Sequence, residues 1–514
     1  MNKYFLTGTL VIIIFLFYNI FLAFTSLEGV PKSVAKNPPF PYLSDKPLTE
    51  DGYYMLTVAW NIAEGKGFSY NYGIKTTGVQ PLATILYSVP AYLVQNTGGD
   101  KYDFARAIII LSALLQVLFA FLIYKISLAI SKEPDNGIYF LVAVCVVLLN
   151  FKVLLNFANG LETGLYLTLL GLFFLYWLKN NSLQPKLSHV LGLGILSGLI
   201  LLARLDSGII LFTFYLMMLI TKRISVKQSV IIFIISFLIF LPWQIYVWEV
   251  TGNLLQSSVR SQTTIEIFNN FLYRTQYYLN AVIQQVTPFL YTGNTFLNLM
   301  LPLGLIYIVI IIVLFKKYYS IIYNEESLII MRFILASLSI QVIIYFLFSN
   351  AAHFYYRYTA FITVLSFPVL TALFVYFLSK IKFTNIYALN ALTIIIFLIS
   401  AFLYFHNGKS PKSLAVRSEY VKNNFDREVR IGAFQTGVLG YFCENVINLD
   451  GKMDNSALKS FSNGGIEVYI DESKIDVLLE WKNILDHVVS KDYLVQNWTF
   501  YSENIGDGIT ICYV

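Results

Sequence analysis

The chain has 514 residues, of which 57% are hydrophobic, 17% aromatic and only 13% charged, with a mean hydropathy of +0.64. These values exclude an ordinary soluble domain, and repeated apolar runs, each of a length that spans a ~30 Å hydrocarbon core as a helix, mark a polytopic α-helical membrane protein. The net charge of +6 reflects basic loops rather than nucleic-acid binding, and the sequence has no P-loop, GxGxxG or metal-type Cys/His cluster to support nucleotide hydrolysis or dinucleotide chemistry.

The first apolar run, Tyr4 to Phe24, exceeds a usual signal-peptide core and is followed by no convincing cleavage site, so a retained anchor is expected. Further spans are predicted over Ala105–Ile130, Gly137–Leu149, Leu161–Leu178, Leu187–Ala203, Gly208–Ile220, Ser229–Trp248, Phe296–Phe315, Leu328–Phe348, Thr359–Leu378 and Ile386–Phe405, about eleven in all. Lys and Arg set their orientation, because basic short loops stay on the cytoplasmic side. After Lys3, every second connection carries them: Lys125 and Lys132, Lys179 and Lys186, Lys222, Arg223 and Lys227, Lys316 and Lys317, Lys380 and Lys382.

This alternation predicts that the segment 27–104 faces outward, together with the loops near Asn156, Arg204 and His353, the segment from Glu249 to about Asn294, and the tail. The run Pro81–Val94 does not count as a span, since it would invert every later connection; a helix along the outer interface or buried in the protein is expected. Residues 1–405 thus read as the membrane unit. Residues 406–514 are more polar, with short β-type runs (VRIGAFQ, VINL, GITICYV) around an amphipathic helix near Glu480–Val489, and read as an extracytoplasmic α/β domain. Cys443 and Cys512 both lie there, as a disulfide or as two free thiols.

Ionisable residues near a membrane are costly and point to function. Here they gather at the predicted outer ends: Glu50, Asp51, Arg106, Lys152, Glu162, Arg204, Asp206, Arg260, Arg274, His353 and Arg357. The middles of the spans hold almost none, whereas an ion-coupled transporter or flippase would place charge near the midplane.

The segment EDGYYMLTVAWNIAEGKGFSYNYGIKTTGVQPL, with its acidic pair, Gly-punctuated run and G-x-x-P-L return, resembles the first outer loop of GT-C-fold glycosyltransferases. NGLETGLY (Asn159–Tyr166) and LARLDSG (Leu202–Gly208) are similar to the family's next two outward motifs, and GAFQTGVLGYFCENVINLDGKMDN (Gly432–Asn455) resembles the outer domain of bacterial members such as the mannosyl-, arabinosyl- and aminoarabinosyltransferases. The resemblance implies an enzyme of the cell or inner membrane that transfers a hexose or pentose from a polyprenyl-phosphate donor to a glycan, lipid or protein acceptor. A lipid-linked glycan polymerase or ligase is the alternative, for which an Arg-rich large outer loop and no acidic first-loop motif are expected.

An acceptor hydroxyl needs one general base at the anomeric carbon, and direct displacement inverts that centre. In the family the catalytic Asp precedes an aliphatic-Ala pair by seven and eight residues, and Asp51 stands so before Val58 and Ala59; Glu50 does not. Neighbouring helical residues point about 100° apart, so Asp51 is assigned as base and Glu50 as an orienting, metal-binding or capping group, with a plain helix-start role for both as the alternative. Arg357 and His353, in HFYYRY, suit the donor phosphate, unless they form an interfacial belt with a snorkelling Arg. Arg260 is a further phosphate candidate or a solvated loop charge. Glu162, Arg204, Asp206, Gln80 and Tyr53 are candidates for sugar or acceptor contact, Glu162 equally a first-turn acid and Arg204–Asp206 equally a structural ion pair. Asn71, Tyr72 and Thr77 share the Gln80 loop. A single carboxylate base requires no cofactor, while the acidic pair could hold a divalent cation such as Mg or Mn, so the metal requirement stays open.

Overall fold

The structure, a computed structural model, describes residues 3–24, 47–132, 135–180, 186–261, 271–287, 297–348, 355–380, 388, 391–392, 394–399, 401, 414–463, 465–501 and 509–513. His353 and half of the predicted span Ile386–Phe405 lie outside them, as does the side chain of Cys512. Every other predicted span is helical. Helix α1 covers Lys3–Ala23, α2 Glu50–Ala63, α3 Pro81–Asn96, α4 Lys101–Ile130, α5 Asn136–Leu148, α6 Phe151–Ala158, α7 Thr163–Lys179, α8 Leu187–Ala203, α9 Ser207–Ile220 and α10 Val226–Thr251. Beyond these run the long helices Leu297–Ile322, Glu325–Phe348 and Ile362–Lys380.

Length separates these helices into classes. Among the described residues, six are long and apolar enough to cross a membrane, and a seventh span arises if α5 and α6, bent by 64° at their junction, count as one. The bend has a local cause: Asn150 lies extended between the helices and its side chain caps the backbone of Lys152 and Val153, giving α6 its own start. Helices α7, α8 and α9 are apolar but only 17, 17 and 14 residues long, roughly 21–26 Å at the helical rise. They stop short because the polar motifs Asn159–Glu162 and Arg204–Asp206 interrupt them at one end.

The predicted basic loops meet at the other end. Lys132 donates to the Ser320 carbonyl, Asn324 to that of Ala129, and Arg223 pairs with Glu326 at 2.6 Å. Helix α3 is not among the six described helices long and apolar enough to cross a membrane. It packs Pro81, Ala83, Tyr87 and Ala91 inward while Ile85, Val89, Tyr92 and Leu93 stay exposed.

The C-terminal unit is an α/β sandwich on a five-stranded sheet of order β2-β1-β3-β5-β4, with β1 Ile431–Ala433, β2 Val446–Asn448, β3 Val477–Trp481, β4 Thr499–Tyr501 and β5 Ile509–Tyr513. Strand β1 runs parallel to β2 and β3, while β5 is antiparallel to β3 and β4. One expectation is corrected here: Glu480 belongs to the central strand β3, and the helix begins only at Lys482. The run VLLEW is buried along its first four positions. Glu480 is tolerated there because its carboxylate accepts from Arg417 at 3.1 Å and from the Phe434 and Gln435 amides, which supplies the partners a buried charge requires. Cys443 is a buried free thiol beside the Ser418 carbonyl.

Candidate active site

These polar motifs converge because each starts or ends a helix at the same end of the bundle. Thr49 starts α2 as its N-cap, its Oγ1 accepting from the Gly52 amide, and its own amide and hydroxyl donate to the Asn159 carbonyl. This ties the Thr49–Asp51 turn to the Asn159–Glu162 turn. Tyr87 of α3 adds a bond to the Leu161 carbonyl at 2.8 Å. The tail closes the site from above, the Tyr70 hydroxyl donating to the Thr436 carbonyl and the Asn71 amide to the carbonyls of Gly440, Cys443 and Val446.

The acidic pair is divided by this docking. The Glu50 carboxylate turns to the tail and accepts the Gly437 and Val438 amides at the start of the helix Gly437–Phe442. Asp51 turns the other way, into a cavity of about 320 Å³ lined also by Tyr54, Gln80, Glu162, Arg204, Asp206, Tyr345, Arg357, Tyr358 and Lys452. The two acids therefore have separate surroundings, as the roughly 100° step between adjacent helical residues requires.

The fit between tail and α2 leaves no space for a side chain at Gly437, where a Cβ would overlap the Glu50 carbonyl oxygen. Gly437→Ala is expected to lower stability by about 1–3 kcal/mol through overpacking and to loosen the tail. A drop in melting temperature with faster amide exchange over residues 431–455 checks this; an unchanged protein contradicts it.

Burial raises the Glu50 carboxyl to about 7, against the opposing pull of the Val438 amide, Arg417 and the Gly437 amide. The folded chain then holds a proton that the unfolded chain releases near its ordinary value of 4.5. The associated stability is complete below pH 4.5 and is lost as pH rises to about 7. The melting temperature of the wild type is expected to fall more steeply across that window than that of Glu50→Gln; parallel profiles contradict the assignment.

The cavity wall is a chain of alternating charges drawn from five separate stretches of sequence. Lys452 Nζ stands 3.7 Å from Asp51 Oδ1, and Arg357 Nη1 is 3.4 Å from Asp51 Oδ2. Arg357 Nη2 lies 3.4 Å from Glu162, which Arg204 meets at 2.8 Å. Arg204 then forks onto both oxygens of Asp206 at 2.9 and 2.6 Å, and the Tyr345 hydroxyl donates to Asp206. The two ends differ in firmness. Glu162 and Arg204 are almost fully buried with short bonds, whereas the Asp51 contacts are longer and its side chain is 23% exposed. Tyr345 and Tyr358 stack with centroids 4.4 Å apart, and Arg204 lies over the Tyr358 ring.

Asp51, Arg357, Glu162, Arg204, Asp206 and Gln80 thus share one cavity. Gln80 ends its loop as the N-cap of α3, and its Oε1 is buried. Tyr53 is elsewhere, buried against Tyr441 and Phe442, because one residue further along α2 it is Tyr54 that faces the cavity. Arg260 does not line the cavity; its guanidinium donates to Asn455 at 3.2 Å. Asn71 and Thr77 fasten the loop, Thr77 to Ser257. Sequence reasoning missed Lys452 and Tyr345. The Asp450 and Asp51 carboxylates outweigh the burial that would depress the Lys452 ammonium, and its pKa lies above the ordinary value.

The residues present do not fit a divalent cation. Glu50 spends both oxygens on backbone amides, each cavity carboxylate already faces an Arg or Lys, and among the described residues no three His, Cys, Asp or Glu side chains converge.

Among solved structures the chain is similar to ArnT from Cupriavidus metallidurans bound to undecaprenyl phosphate, with a TM-score of 0.54 at 10% identity over 97% of both chains. The oligosaccharyltransferase of Archaeoglobus fulgidus, in complex with Zn and sulfate, aligns at a TM-score of 0.48 and 13% identity over 91% of this chain and 67% of that one. No family model matches the sequence, and no curated protein matches it significantly. The fold is the GT-C fold, a helical polytopic membrane protein with a C-terminal α/β unit.

Proposed function

We propose that the chain is a GT-C glycosyltransferase that transfers a sugar from a polyprenyl-phosphate-linked donor to an acceptor hydroxyl, with inversion at the anomeric carbon. The observation that carries this reading is Asp51 beside Arg357 in the wall of one cavity: a carboxylate base and a phosphate-matching cation within a few ångströms. The ArnT structure, which holds undecaprenyl phosphate in the same fold, supports the donor class.

Asp51 accepts the proton of the acceptor hydroxyl as its oxygen bonds to the anomeric carbon, and the bond to the donor phosphate oxygen breaks. The polyprenyl phosphate that departs gains negative charge, which the planar fork of Arg357 neutralises through paired hydrogen bonds. Arg204, locked by Glu162 and Asp206, holds the wall rigid, and Gln80 and the tyrosine faces offer contacts to sugar hydroxyls and ring. The basic loops at the opposite end of the bundle support an outward-facing cavity at the plasma or inner membrane, with residues 1–405 as the membrane unit and 406–514 as the outer domain.

Purified full-length protein, incubated with a panel of polyprenyl-phosphate-linked hexoses and pentoses and a membrane extract as acceptor source, tests it. Protein-dependent release of polyprenyl phosphate from at least one donor, together with a glycosylated product, is expected. Absence of turnover across the panel, alongside transport activity in vesicles, contradicts it.

A further inference from the structure

The cavity is incomplete without the C-terminal unit, because one of its three lining cations, Lys452, comes from the turn after β2. That turn is seated firmly. The Lys452 amide donates to Asp450, its carbonyl accepts from Ser257 at 2.8 Å, and the Met453 amide donates to Asn448. Against this carbonyl lies Gly78, where a Cβ would overlap the Lys452 oxygen. The backbone is therefore fixed while the side chain projects into the cavity.

The side chain itself is held loosely. Its Nζ is 3.7 Å from Asp51 and 3.5 Å from Asp450, both beyond ordinary charge-assisted hydrogen bonds, and it remains 29% exposed. Arg204, by contrast, is committed to Glu162 and Asp206 by bonds of 2.6–2.9 Å and is 4% exposed. Charge balance gives the reason for a third cation. The lining holds Asp51, Glu162 and Asp206 against Arg204, Arg357 and Lys452, so removing Lys452 leaves the wall net negative, and an anionic phosphate would then be repelled.

We propose that Lys452 is a phosphate-binding residue supplied by the C-terminal unit: when a polyprenyl phosphate group enters, the Lys452 ammonium leaves Asp51 and, with Arg357, takes the phosphate oxygens. The inference rests on the donor class proposed above. Its chemistry is an exchange of ion-pair partners with no bond made or broken, and it leaves Asp51 open to the acceptor hydroxyl at the moment the donor is in place.

Undecaprenyl phosphate is the probe, titrated into the purified full chain in detergent. Wild type is expected to bind, Lys452→Gln to bind about tenfold or more weakly from loss of a charge-assisted contact, and Lys452→Arg to stay within about threefold of wild type. The melting temperature without ligand should be unchanged in Lys452→Arg, which keeps the charge beside Asp51 and Asp450, and should fall modestly in Lys452→Gln, which removes it while the backbone still docks the turn. Binding by Lys452→Gln equal to wild type overturns the role of Lys452 and leaves the donor class standing. Weakened binding by both variants also overturns it, because charge alone then fails to restore the contact. Absence of binding by the wild type overturns the donor class and the inference together.

Discussion

Asp51→Asn is expected to lower sugar transfer by about 10²–10⁴-fold, the usual contribution of a positioned general base. The amide keeps the size of the carboxylate and retains an oxygen toward Arg357 and Lys452, so the melting temperature should change little. Donor affinity should stay the same or tighten, because two cations 3.4 and 3.7 Å from Asp51 lose an anionic competitor. The kinetic signature is a fall in kcat without a rise in donor KM. Undiminished transfer removes Asp51 from the mechanism. A fall accompanied by a large drop in melting temperature would instead make Asp51 a structural charge for Arg357.

Arg357→Ala should produce the second large effect, and it should act on binding and folding together. The guanidinium lies between Asp51 and Glu162, and Glu162 is only 2% exposed. Deleting one partner of such a buried network costs about 3–5 kcal/mol, chiefly by leaving carboxylates without a counter-charge; the 3.4 Å separations and the second partner of Glu162, Arg204, place the loss at the lower end. Donor KM should rise by at least tenfold, as expected for loss of a paired contact to phosphate. Arg357→Lys separates the two effects: it keeps the charge and should recover most of the stability, while the lost fork leaves donor affinity well below wild type. Unchanged donor KM in both variants contradicts a phosphate role for Arg357.

Much of the site was legible because each of its motifs interrupts an apolar run. Glu162, Arg204, Asp206 and Arg357 stand out in the sequence as charges at span ends, where burial without a purpose is costly. The division of Glu50 from Asp51 was also visible, from helical geometry and from the spacing of Asp51 to Val58 and Ala59. What Glu50 meets was not: its partners are the Gly437 and Val438 amides, almost 400 positions away, and no local pattern announces a contact to backbone groups. The same distance hid Lys452, an ordinary turn lysine in sequence whose placement depends on how the tail seats against Gly78 and Ser257.

Other departures have local causes. VLLEW reads equally as a helix start or a buried strand, since a short apolar run has no decisive period, and pairing to β1 and β5 decides for the strand. Tyr53 and Tyr54 are indistinguishable by composition; the packing of Tyr441 and Phe442 takes the first and leaves the second to the cavity. Gly437 of TGVLGYF lies directly on α2, a contact across the chain that its local sequence does not announce.

A structure of the full chain with undecaprenyl phosphate bound would decide whether this cavity is a donor site. The phosphate is expected within hydrogen-bond distance of Arg357 and Lys452, with the Asp51 carboxylate facing the oxygen that would carry the sugar. A phosphate bound away from Arg357, or an Asp51 still closed onto both cations with the ligand in place, would contradict the proposed chemistry.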